Sequence, residues 1–204
     1  LDELPEFDRN VLEVLRQPLE ERSITVSRAN YNNTYPAAFL FVAAMNPCPC
    51  GFYLNTVRKC TCTRTMLQKY ARRLSGPLLD RIDLHVNVAQ VAYADLSSTS
   101  KTSSSEIIKS RVIKARDIQT RRSGGIINAK LTPEQTKTHC SLGVLEQELL
   151  IQAMERQKLS ARSYDRILKV ARTIADLDDT KDIGLVHLAE AIALRCFDGD
   201  YFNI

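Results

Sequence analysis

The chain has 204 residues, 44% hydrophobic and 25% charged, an ordinary composition for one large or two small globular domains that argues against disorder. Its formal charge of +4 comes from basic residues dispersed along the chain, so charge alone points only weakly to nucleic acid. No apolar run approaches the roughly 18 residues that span a bilayer and nothing resembles a signal peptide, so a cytoplasmic protein without membrane contact is expected.

The opening phrase LDELPEF sets two carboxylates, Asp2 and Glu3, where a buried strand would lead into a helix. In a nucleotide hydrolase the first of such a pair holds Mg2+, usually through water, and the second polarises the attacking water. Two solvated acids at a helix start, favoured by the helix dipole, are the plainer reading. Because the chain begins at Leu1 inside this phrase, it is expected to be a piece of a longer protein. The spacing of Val11, Leu12, Leu15 and Leu19 predicts a helix over Asp8–Glu21, ended or distorted at Pro18. A short strand at Ile24–Val26 and the turn formers at 30–33 predict a hairpin before Pro36, with Arg28 on it.

The run AAFLFVAAM, Ala37–Met45, is continuously apolar and predicts a strand covered on both faces, leading into Asn46-Pro47. Asn46 would then stand at the C-terminal end of a strand, where open α/β sheets bind ligands, and its amide can orient a water or meet a phosphate. An ordinary Asn-Pro turn is the alternative.

Four of the six cysteines follow as two C-x-C pairs, Cys48 with Cys50 and Cys60 with Cys62. In a reducing compartment such a group suits a tetrahedral Zn2+ site better than disulfides, with reduced free thiols as the alternative. Arg58, Lys59 and Arg64 beside them would favour the thiolate form.

A helix over Thr65–Leu74, a break at Ser75-Gly76-Pro77 and a second strand near Leu84–Val91 come next. Both strands fit a parallel sheet covered by helices. The phrase SGPLLDRIDLHV puts Arg81 between Asp80 and Asp83, as a cation for a transferring phosphoryl group or as the partner of its neighbouring acids.

The Ser-, Thr- and Lys-rich stretch 97–105 has linker composition and marks the domain boundary. Beyond it the apolar period becomes helical: Ile108, Val112 and Ala115; Leu142, Leu145, Leu149 and Ala153; Ile167, Ala171 and Ile174; Leu185, Leu188, Ile192 and Cys196. This predicts an all-α unit of about four helices, with Ser160 and Asp182 as N-caps of the last two. In LSARSYDRILKVARTIADL, Arg162 falls in the first turn of a strongly amphipathic helix, where phosphate is favoured and where a surface arginine is also ordinary.

Taken in order, the acidic pair, helix, hairpin, apolar strand with terminal Asn, DRID strand, linker and SAR-bearing helical unit resemble the C-terminal half of an AAA+ ATPase module. The resemblance is to the hairpin-bearing branch with magnesium chelatase and MCM helicases, and within it to the ComM (YifB) family, through LDELPEF, AAMNPCPCG, SGPLLDRIDLHV and SARSYDRILKVARTIADL. It covers essentially the whole chain. It implies an α/β remnant of an AAA+ nucleotide-binding domain over 1–96, a linker over 97–105 and a helical lid over 106–204. Only the last two of the family's five sheet strands fall in this chain, with the end of the third at Leu1, so open sheet edges and apolar faces are expected.

By the same resemblance Asp2 and Glu3 are Walker B, Asn46 is sensor 1, Arg81 is an arginine finger acting in trans and Arg162 is the sensor 2 arginine. Arg28 occupies the place where MCM-like helicases carry a basic DNA-contacting side chain, although an exposed hairpin arginine needs no such role. ATP and Mg2+ are the implied ligands, with Zn2+ at the cysteines, and the implied assembly is a homo-hexamer translocating on branched or single-stranded DNA. A chelatase-type ATPase that remodels a protein partner is the rival enzyme, and a zinc-stabilised nucleic-acid-binding module without catalysis is the rival from another class. No G-x-x-x-x-G-K-[ST] occurs in the chain, so the P-loop is expected upstream of it.

Overall fold

The computed structural model describes residues 1–29, 31–53, 55, 57–88 and 103–195. These gather into two units, within Leu1–Ile82 and Asp83–Cys196, each with a hydrophobic core of its own. The protein is helix-rich, with one two-stranded antiparallel sheet among the described residues.

In the first unit a 3-10 turn at Leu4–Glu6 precedes helices α1 (Arg9–Val14) and α2 (Arg16–Glu21). The Asp8 carboxylate caps α1 by accepting the Asn10 N–H at 2.8 Å. The expected single helix divides at Leu15 because the Pro18 ring crowds the carbonyl four residues earlier, that of Val14, where α1 ends. Strands β1 (Ser23–Arg28) and β2 (Tyr31–Pro36) form the hairpin. Helices α3 (Arg64–Ala71) and α4 (Gly76–Leu79) follow, capped by the hydroxyls of Thr63 and Ser75.

Two expected strands come out differently. The Ala37–Met45 run is extended but belongs to no ladder of its own. Instead it receives the start of the chain: the Leu1 amine donates to the Val42 carbonyl at 2.8 Å, Ala44 N–H to Leu1 at 2.9 Å and Leu4 N–H to Ala44 at 2.9 Å. The first two bonds have the pattern of parallel pairing. Phe41, Ala43 and Met45 pack on the core of Leu4, Leu12, Leu74, Leu78 and Leu79, while Leu40 and Val42 are 88% and 67% exposed. The run is therefore covered on one face, not both, because the side chains of an extended segment alternate and only one set meets α1 and α4.

The second expected strand, Leu84–Val91, is described only to Val88, and there it makes one parallel bridge, His85 with Arg195, with His85 N–H donating to Leu194 at 2.6 Å. It is not a strand of a larger sheet among the described residues. The expected linker residues 97–102, like Cys196, lie outside the described residues. Ser104 caps the next helix and Ser105 is that helix's first residue.

The second unit has five described helices where about four were expected: α5 (Ser105–Arg122), α6 (Pro133–His139), α7 (Val144–Gln157), α8 (Ala161–Leu177) and α9 (Leu185–Ala193). Helix α8 is the centre. Ile167, Leu168, Ala171, Ile174 and Ala175 form a helical stripe packed against Leu150, Leu188 and Ala191. Its cap is Ser160, as expected, the hydroxyl accepting the Ser163 N–H at 3.2 Å. Asp182 does not cap α9. That helix starts at Leu185, and the Gly184 N–H is taken by His187 Nδ1 at 3.0 Å instead.

Among these apolar contacts runs a buried polar network. The Arg122 guanidinium donates to both Asp176 oxygens at 2.6 and 2.8 Å, and Asn128 Nδ2 donates to the same carboxylate at 2.8 Å. Arg172, itself buried, donates to Asp176 at 3.1 Å and to the carbonyls of Thr180 and Lys181 at 2.7 Å each. Hydrogen bonding to Asp176 holds the Arg122 guanidinium above the usual arginine range.

Candidate functional site

The backbone pairing of Leu1 and Leu4 with the 42–44 segment sets the Asp2-Glu3 pair beside the extended run that ends at Asn46. Asp2, Glu3 and Asn46 are all exposed. The Asp2 carboxylate accepts the Glu3 N–H at 2.9 Å. Glu3 itself is left-handed, with φ 51° and ψ 49°, a conformation costing a side-chain-bearing residue about 1–3 kcal/mol. The bonds on either side, Leu4 to Ala44 and Glu6 N–H to Glu3 at 2.8 Å, hold it there.

Asn46 is fixed through its backbone. Its carbonyl accepts the Tyr70 hydroxyl at 3.0 Å, from helix α3, whose N-terminus the Thr63 hydroxyl caps. Burial, and after it the charge of Glu6, pushes the Tyr70 pKa up, which keeps that hydroxyl a donor. Arg73, just past α3, donates to the Pro5 carbonyl at 3.0 Å and pairs with Glu6 at 2.8 Å. The 3-10 turn behind Glu3 and the carbonyl of Asn46 are thus tied to one helix.

Arg81 lies just beyond α4 with only 10% of its side chain exposed. Its Nη1 donates to the Pro77 carbonyl at 2.6 Å, and its Nε approaches the Glu20 carboxylate at 2.6 Å without aiming the N–H at it. Its acidic partner is therefore Glu20 and not the adjacent Asp80 or Asp83 expected from the sequence. Asp83 instead pairs with Arg166 of α8. Arg162 is exposed in the first turn of α8. Buried Ser163 beside it accepts from Arg195 Nη2 at 3.3 Å, and Arg195 also donates to the Asp83 carbonyl at 3.4 Å.

The four expected cysteines come together. Cys48 Sγ is 3.3 Å from Cys50 and 3.8 Å from Cys60, Cys50 is 3.5 Å from Cys60, and all four sulfurs lie within 4.8 Å of one another. Zn–S bonds of about 2.3 Å in a tetrahedron give edges of about 3.8 Å, so the donor set fits a metal ion of that kind. The loop turns at Gly51, φ 80°, whose N–H returns to the Cys48 carbonyl at 2.9 Å. Backbone N–H groups of Phe52 and Thr61 hold the Cys50 thiol down to about 5, while burial pushes Cys62 up to about 12. Four thiols this close cannot all ionise without a cation among them. Arg58 stacks over Phe52 at 4.2 Å at the rim of the loop.

Arg28 ends β1 and is exposed, directly across the hairpin from Tyr31. Glu20, Tyr70 and Arg73 were not singled out from the sequence. Their partners lie up to 68 residues away along the chain, and no local pattern announces such pairs.

Two family models match in succession: magnesium chelatase, subunit ChlI, over residues 1–96, and magnesium chelatase, subunit ChlI C-terminal, over residues 102–195. The chain is 44% identical over 196 residues to competence protein ComM of Haemophilus influenzae, covering 96% of this chain and 38% of that protein. It is 42% identical over 198 residues to the YifB proteins of Salmonella typhimurium and Escherichia coli, covering 97% of this chain and 39% of each. It therefore spans about two fifths of the length of these relatives.

Proposed function

Because the chain belongs to the magnesium chelatase subunit ChlI family, with ComM and YifB among its relatives, we propose that it is the hydrolytic half of an ATP-driven AAA+ ring motor acting on DNA. The observation that carries this reading is the pairing of Leu1 and Leu4 with Val42 and Ala44, which brings the exposed Asp2-Glu3 pair beside the extended segment that leads to Asn46.

In this reading Asp2 holds Mg2+ through water and Glu3 takes up the proton of the water that attacks the γ-phosphorus. Asn46 orients that water through an amide able both to donate and to accept. Arg162, at a helix N-terminus, meets the phosphate chain. Arg81 reaches a neighbouring subunit's nucleotide once it has left Glu20, and so belongs to an oligomer, for which the family resemblance supports a hexamer. The phosphate cradle is not among these 204 residues, so the chain by itself is expected to turn over no ATP.

The cysteine loop is read as a structural Zn2+ centre held by Cys48, Cys50, Cys60 and Cys62, supported by the sulfur spacing above. It begins two residues after Asn46, so the metal would also brace the extended segment that carries the amide.

The test is to join the chain to the P-loop segment that the resemblance places before Asp2 and to measure ATP turnover with and without branched DNA. Stimulation by DNA is expected. Turnover indifferent to DNA would favour the chelatase-type reading, in which a protein partner takes the place of the nucleic acid.

A further inference from the structure

The hairpin register divides its side chains into two unlike faces. Residues paired directly across an antiparallel ladder share a face. One face therefore carries Ser23 with Pro36, Thr25 with Thr34 and Ser27 with Asn32, all small or uncharged. Thr25 and Thr34 hydroxyls lie 3.1 Å apart there. The other face carries Ile24 with Tyr35, Val26 with Asn33 and Arg28 with Tyr31. On it Tyr31 is 71% and Tyr35 53% exposed, far more than buried-core aromatics, and Val26 is 46% exposed.

Charge narrows what could cover this face. From Arg22 to Pro36 the chain carries two arginines and no acid. An acidic protein surface would be met by arginines, but it would leave two phenol rings on a strand with little to recognise. A nucleic acid strand uses both: phosphates for the guanidinium, and base faces for the rings. Duplex bases are stacked on one another and offer no free face to a side chain outside the grooves, whereas single-stranded bases do.

We infer that Tyr31 and Tyr35 are a base-stacking platform for single-stranded nucleic acid, with Arg28 on the adjoining phosphate. The inference rests on the DNA-acting reading above and names the form of nucleic acid that this hairpin takes. Four residues of strand separate the two rings by about 13 Å, so they serve two separate bases of one strand. Arg28, opposite Tyr31 with Cβ atoms about 5 Å apart, neutralises the backbone beside the first of them. Stacking does not distinguish one base from another, so binding is tolerant of sequence.

The experiment titrates a fluorescein-labelled oligothymidylate, and a blunt duplex of equal length, with the full chain over a series of salt concentrations. Tyr31→Ala and Tyr35→Ala are each expected to weaken single-strand binding about 5- to 100-fold, with the salt slope unchanged. Tyr31→Phe and Tyr35→Phe keep the ring and are expected to bind like the parent. Arg28→Ala should instead reduce the slope of log K against log salt by about 0.7. Tyr31→Thr and Tyr35→Thr retain strand propensity without a ring and replace any alanine variant that fails to fold. If the tyrosine variants bind as the parent does while Arg28→Ala loses affinity, the platform is overturned and the DNA-acting reading stands. If none of the three positions matters, the platform falls, and if the parent binds neither oligonucleotide, the DNA-acting reading falls with it. An equal loss on the duplex overturns the single-strand assignment.

Discussion

The Glu20 carboxylate and the Arg81 guanidinium meet at 2.6 Å inside one chain, Glu20 at the end of α2 and Arg81 just after α4. An arginine proposed to act on a neighbouring subunit is thus held by a charge partner of its own. Arg81 is nearly buried and Glu20 about a third exposed, so the pair is neither a free surface contact nor a sealed one. A double-mutant cycle of Glu20→Gln and Arg81→Gln is expected to give a coupling of about 0.5–3 kcal/mol in urea unfolding. A coupling of zero would mean the two side chains are independent in solution.

Asp176 is fully buried and receives Arg122, Arg172 and Asn128. Asp176→Asn leaves two guanidinium groups short of their counter-charge around a position that is itself shut off from water. We expect a loss of about 3–5 kcal/mol, read as a shift in the denaturation midpoint. An apolar replacement of similar shape, Asp176→Leu, should fold no better, because the two arginines would remain unpaired.

Cys140 gives a pH prediction with a definite sign. Burial pushes its thiol from the ordinary 9 to about 11. Below about pH 9 the group is protonated in both states and costs nothing. Above it the unfolded chain sheds the proton while the folded chain keeps it, so stability falls as pH rises through the window from 9 to about 11. One pH unit into that window the loss attributable to Cys140 is about 1.4 kcal/mol. Urea unfolding of the parent and of Cys140→Ala at about pH 8 and about pH 10 isolates it. Equal pH slopes in the two proteins would contradict the assignment.

For the cysteine loop, elemental analysis of protein purified without chelator is expected to find about one Zn2+ per chain. Cys60→Ser or Cys62→Ser should lower that content sharply. Stripping the metal with a chelator should make the loop thiols open to alkylation while Cys140, 2% exposed, stays protected.

The sequence made some of this visible and hid the rest for identifiable reasons. Helix α8 was legible because its stripe from Ile167 to Ala175 keeps one period and Ser160 offers a cap. The four cysteines were legible because each C-x-C pair keeps its own two sulfurs close, and the loop between the pairs is short enough to bring them together. Helix α6 was missed although Thr132-Pro133-Glu134-Gln135 is a capping box, both halves of which form, at 3.2 and 3.0 Å. Its seven residues are too short to show an apolar period. The Ala37–Met45 run was read as covered on both faces because composition reports that both sets of side chains are apolar and not whether anything lies over them. The tyrosine face of the hairpin needed the register, since Tyr31-x-Asn33-x-Tyr35 alone does not say what stands opposite. The buried network around Asp176 joins residues as far as 54 apart, and no pattern in the chain marks such a meeting.

The central claim is that Asp2-Glu3, set beside the extended segment that leads to Asn46, is the hydrolytic edge of an ATPase. It is tested most directly by Glu3→Gln in the chain joined to its P-loop segment, with ATP binding and ATP turnover measured separately. The account predicts that binding survives while turnover falls at least about 100-fold, because the amide cannot accept the water's proton. Turnover undiminished in Glu3→Gln would contradict it.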